Sequence, residues 1–113
     1  MRIEGADSDT CQYKVDFGSI EWQSPLPGVR FRAFVEGSRR MRLVEYTSDF
    51  VEPDWCAKGH IGYVIEGRFE IDFDGQVVQL APGDGIFIPP GVEHKHKARV
   101  LSDIARVFLV DDT

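Results

Sequence analysis

Three histidines and two cysteines supply all the imidazole and thiol chemistry of this 113-residue chain. His60 opens a strand-like run, and His94 and His96 follow the turn Pro89-Pro90-Gly91. Side chains two apart on a strand point the same way. Read as a strand, the His94–His96 pair therefore converges on whatever His60 faces across a closed sheet, which is the geometry of a metal pocket. Cys56, four residues before His60, could complete a three- or four-ligand set, or failing it Asp54 could. The sequence favours the plainer reading of Cys56 as a small buried hydrophobe, which is how a free cysteine usually behaves. Cys11 lies in a polar N-terminal stretch and has no evident chemistry.

Imidazoles with one thiolate favour zinc, copper or iron over magnesium or calcium, because borderline and soft ligands select those ions. Without the thiolate, two or three histidines with water suit manganese, nickel or iron. The expected cofactor is thus a divalent ion of the Zn, Fe, Mn or Ni type. A bland alternative stands beside this reading: Lys95-His96-Lys97 also fits a solvated strand whose lysines face water.

Two arginine pairs at i,i+2 spacing, Arg30 with Arg32 and Arg40 with Arg42, could grip a substrate carboxylate bidentately, and Arg42 is the candidate carried forward. Equally, they could face solvent or pair with acids such as Glu45 and Glu70. Tyr63 and Trp55 flank the proposed site as candidate substrate-binding walls, although aromatic residues on strands are commonly core.

The elements that must position these residues are short strands. Candidates are Tyr13–Phe17, Ser19–Trp22, Val29–Val35, Met41–Tyr46, Gly62–Ile65, Phe69–Phe73, Gln76–Leu80, Gly85–Ile88, His94–Val100 and Ile104–Val110, separated by Gly- and Pro-rich punctuation. Asp74-Gly75 between two alternating runs is a strong hairpin signal, since a two-residue primed turn needs positive φ. No segment keeps a helical period. Roughly ten short strands at this spacing imply an all-β sandwich, jelly roll or barrel. Residues 1–12 read as a flexible segment ahead of one domain spanning 13–113, with a barrel core at about 28–110.

Composition narrows the function classes. Thirteen basic against nineteen acidic side chains give a net charge of -6, which repels phosphate backbones and anionic membrane surfaces. Nucleic-acid and membrane partners are not expected. With no secretory leader and no apolar run long enough to span a bilayer, the expectation is a cytoplasmic protein with free thiols.

Two blocks carry a family resemblance. Gly62-Tyr63-Val64-Ile65-Glu66-Gly67 through Asp74-Gly75, then Leu80-Ala81-Pro82-Gly83-Asp84-Gly85 through Pro89-Pro90-Gly91-Val92-Glu93-His94, resemble the cupin superfamily. The second cupin motif, G-x5-P-x-G-x2-H-x3-N, matches from Gly83 to His94, with Ala98 in place of its final Asn. The first, G-x5-H-x-H-x3,4-E-x6-G, matches only in its second half. His60 falls at its glutamate position, and by spacing Asp54 and Cys56 replace the H-x-H pair; a loop one residue shorter puts Trp55 and Ala57 there.

The resemblance implies a jelly-roll β-barrel, usually dimeric, with a metal in its mouth held by His60 and His94 and with His96 as an extra imidazole. The strands before residue 28 resemble an extension that often joins the two sheets of a dimer. The function expected is a small metal-dependent enzyme of dioxygenase, isomerase or lyase type acting on a small polar metabolite. A non-catalytic ligand-binding or sensor cupin is the alternative. Partners are then a small-molecule ligand and a second copy of the chain.

Overall fold

A computed structural model describes residues 13–112. Nine strands form two facing antiparallel sheets: β1 (Gln23–Leu26), β2 (Val29–Glu36), β3 (Arg39–Thr47), β4 (His60–Glu66), β5 (Phe69–Asp72), β6 (Val77–Leu80), β7 (Gly85–Ile88), β8 (Lys97–Val100) and β9 (Ile104–Asp112). The larger sheet runs β1-β2-β3-β9-β4-β7 and the smaller β6-β5-β8. This is the jelly-roll barrel.

Period-two alternation builds the interior. On β9, Ala105, Val107 and Leu109 are buried, and the next inward position is Asp111. Val44 on β3, Val64 on β4, Phe69 and Ile71 on β5, and Ile86 and Ile88 on β7 complete the packing. One apolar row thus ends in a carboxylate, and that end of the barrel holds the polar side chains.

The β5–β6 hairpin turns at Asp74-Gly75, with φ of 63° and 119°. Asp72 Oδ1 accepts the amides of both turn residues. The two positive φ values are those a type I′ turn requires, as its sequence implies.

Three expected strands differ. Neither Tyr13–Phe17 nor Ser19–Trp22 is a strand. Tyr13 has φ 73°, and Asp16 draws residues 17–19 into a 3-10 turn by accepting from the Gly18 amide and the Ser19 hydroxyl. This local side-chain capture outcompetes extension. The real first strand, β1, contains Pro25 and lies at a sheet edge, where a residue lacking an N–H is tolerated.

The third difference matters for chemistry. After Gly91, residues Val92–His94 form a 3-10 turn, and β8 begins only at Lys97. His94 and His96 do not share a strand face. The expected 94–100 strand is shortened because the turn hydrogen bonds His94 N–H to Gly91 O and Lys95 N–H to Val92 O replace ladder pairing there. The proposed flexible segment 1–12 and Cys11 lie outside the described residues.

Candidate metal centre

The loop between β3 and β4 is pinned across the barrel mouth. Cys56 and His96 exchange both backbone hydrogen bonds, each at 2.9 Å, forming an isolated bridge ahead of β8. Glu52 Oε1 accepts the Ala98 amide at 2.8 Å, and Val51 bridges Arg99. Side chains of directly opposed residues lie on one face, so this bridge sets the Cys56 thiol beside the His96 ring. His60, first residue of β4, enters from the other sheet.

One ligand atom each from Cys56, His60 and His96 lies within 4.8 Å of the others. Cys56 Sγ is 3.9 Å from His60 Nε2, and the two rings meet edge-on at 5.3 Å. His96 is buried, and His60 and Cys56 are partly so.

Hydrogen bonds set both tautomers. His96 Nδ1 sits 3.0 Å from the His94 carbonyl, which can only accept, so Nδ1 bears the proton and Nε2 keeps its lone pair. His60 Nδ1 lies 3.2 Å from Asp111 Oδ2. Burial alone would raise the Asp111 pKa. The His60 hydrogen bond and the Arg40 and Arg42 guanidiniums override it and hold the carboxyl well below its usual range. Asp111 is therefore an acceptor, and His60 turns its Nε2 toward Cys56 Sγ.

Asp111 is the anchor of the site, its side chain 1% exposed. Oδ1 accepts from Arg40 Nε at 2.9 Å, and Oδ2 from an Nη of Arg42 at 2.6 Å. The register that pairs Arg40 with Asp111 across β3 and β9 dictates this. A carboxylate behind a ligating imidazole raises its basicity and locks its orientation.

The donor set fits a divalent first-row ion. Tetrahedral bonds of about 2.1 Å to nitrogen and 2.3 Å to sulfur place those atoms about 3.6 Å apart, close to the Sγ–Nε2 distance. Three protein donors leave at least one position for water or a ligand. They border a 320 Å³ cavity, at the small end of the about 300–1,000 Å³ range of ligand sites.

The expected site residues separate cleanly. Cys56, His60 and His96 come together, and Arg42 lines the cavity with Arg40. His94 stays in the 3-10 turn and contributes its carbonyl. Asp54 is exposed and does not line the cavity. Tyr63 and Trp55 do not line it either. Tyr63 alternates with fully buried Val64 and so faces outward, 52% exposed, while Trp55 receives the ammonium groups of Lys95 and Lys97 on its ring.

Arg30 and Arg32 face outward and stack on Trp22, with Arg30 also bound to Glu45. The sequence reading passed over Tyr46 in the cavity wall and Asp111 behind it. The alternation Ala105, Val107, Leu109 extended by one step points to Asp111.

Comparisons with known proteins agree with this fold. The Cupin domain family model matches residues 56–110. The chain belongs to the cupin superfamily. KdgF from a Halomonas species superposes with TM-score 0.67 at 25% identity, covering 81% of this chain and 84% of its own. An RmlC-like cupin from Shewanella frigidimarina gives 0.69 at 17% identity, covering 90% and 91%. The polyketide cyclase RemF from Streptomyces resistomycificus gives 0.71 at 19%, covering 90% and 80%. The latter two establish the shared fold alone. No curated protein matches the chain in sequence.

Proposed function

We propose that this cupin is a metal-dependent enzyme whose ion is held by Cys56, His60 and His96 and whose substrate is a small polar metabolite bound in the adjoining cavity. The convergence of three ligand atoms, with both Nδ1–H groups already committed elsewhere, carries this reading. His94 supports His96 through its carbonyl. A bound divalent ion supplies Lewis acidity or a site for an exogenous ligand, the chemistry open to dioxygenases, isomerases and lyases. The chain's own part is to orient His60 through Asp111, to enclose substrate between apolar walls and to present Arg42 to it.

Binding without turnover is the second reading, favoured by the three-donor set where the superfamily motifs supply four. We also place the protein in the cytoplasm as a homodimer joined through the outer face of β4 and β7. Ile61, Tyr63 and Phe87 are 55%, 52% and 77% exposed there, Ile61 and Phe87 as a cross-strand pair.

Metal analysis of the purified protein tests the centre, followed by Co(II) titration. About one ion per chain is expected, with a thiolate-to-cobalt charge-transfer band that disappears in Cys56→Ser. His60→Ala and His96→Ala should weaken binding strongly and His94→Ala little. Failure of Zn, Fe, Mn, Ni and Co all to bind stoichiometrically would sink the metal reading.

A further inference from the structure

The geometry points to a small monocarboxylate with an apolar body as the ligand of this cavity, its carboxylate held by Arg42 and Tyr46. The inference rests on the reading of the cavity as a metabolite site and deepens it.

The inward positions of β3 run Arg40, Arg42, Val44, Tyr46 along one wall, and both arginines and the tyrosine line the cavity. Asp111 engages only Nε of Arg40 and one Nη of Arg42. A guanidinium has five N–H donors, so this ion pair leaves most of each fork unused. Arg42 lies with Cζ 5.1 Å over the Phe31 ring, which fixes its plane.

Tyr46 packs on Phe50 and Phe69 at 4.9 and 6.4 Å, and no described side chain bonds its hydroxyl. Burial pushes that hydroxyl up to about 12, so it remains a neutral donor. Arg42 and Tyr46 together offer N–H and O–H donors that Asp111 leaves unused, which suits a carboxylate.

Charge and shape limit the ligand further. In the metal-free chain Arg40, Arg42 and Lys58 stand against Glu52 in the wall and Asp111 behind it, an excess of one positive charge. That matches a monoanion and falls short of a phosphate dianion. The remaining wall is hydrocarbon, including Val29, Phe31, Ile71, Ile86, Ile88 and Leu109, which calls for an apolar body small enough for 320 Å³.

Calorimetric titration of the full chain with hexanoate, hexanamide and inorganic phosphate tests this, in metal-free and Co(II)-loaded protein. Hexanoate should bind about tenfold or more tighter than hexanamide in both forms, since Arg42 and Tyr46 do not depend on the ion. Arg42→Gln should abolish the preference. Tyr46→Phe, which keeps the ring packing, should weaken hexanoate about three- to tenfold and keeps the test decisive if Arg42→Gln does not fold.

Equal affinity for acid and amide, tighter binding of phosphate, or a preference seen only with cobalt bound would overturn the assignment. Loss of cobalt binding with the preference intact would instead overturn the metal reading and leave this one standing.

Discussion

Arg30-x-Arg32 on β2 and Arg40-x-Arg42 on β3 are the same residues at the same spacing on neighbouring strands, and they do opposite things. Of the outer pair, Arg32 donates to the Phe17 carbonyl, and Arg30 joins a ladder across four strands: Glu45 takes Arg30 at 2.7 Å and Arg106 at 2.7 Å, and Arg106 continues to Glu66. The inner pair closes on a single buried carboxylate that also orients His60. A two-residue hairpin pairs Glu36 with Arg39, so every even position of β2 opposes an odd one of β3. Even-numbered arginines on the two strands therefore land on opposite faces, one in high dielectric and one in the barrel.

The comparison breaks most visibly at its centre. Asp111→Ala leaves Arg40 and Arg42 without their buried counter-charge and should cost about 3–5 kcal/mol in urea unfolding. It should also loosen His60, lowering Co(II) affinity about 10- to 100-fold. An unchanged affinity would remove Asp111 from the site's design.

The pH dependence should separate the faces next. The depressed Asp111 pKa adds stability that is complete above the unfolded carboxyl value, about 3.9. It is lost as pH falls below that value toward the folded one. Metal-free protein should lose stability steeply between about pH 5 and pH 2, and Asp111→Asn should flatten that slope. Glu45 is shifted the same way because the Arg106 and Arg30 hydrogen bonds outweigh its burial. Its depression is the smaller of the two, so it should contribute a smaller slope over the same window.

Smaller still is the effect of opening the outer ladder. Glu45→Gln should cost under about 1 kcal/mol and less at high salt. A loss equal to that of Asp111→Ala would mean the ladder is no ordinary surface network. Tyr63→Glu with Phe87→Glu probes the face beyond it. Light scattering should report a shift from dimer to monomer with the cobalt band retained, and a monomeric wild type would remove the dimer.

Much of this was legible in the chain. Glycine and proline punctuation and period-two runs marked the strands from Val29 to Val110 to within two residues at each end, the start of β8 excepted, because turn chemistry and alternation are local. The N-terminal strands were not, since Asp16 diverts its neighbours into a turn that no periodicity reveals. His94 shows the same limit: its place in the motif drew attention to the segment, but the 3-10 turn keeps it off any strand face shared with His96.

The sequence by itself determined the all-β barrel and the scarce imidazole and thiol donors available within it. Only the tertiary structure decided which donors meet. Cys56 and His96 are forty residues apart in the chain and are joined by a single bridge. Asp111 reaches His60, Arg40 and Arg42 only through the register of β9 between β3 and β4. Local patterns specify where a strand runs and which way its residues alternate; what each side chain faces is a long-range property of pairing.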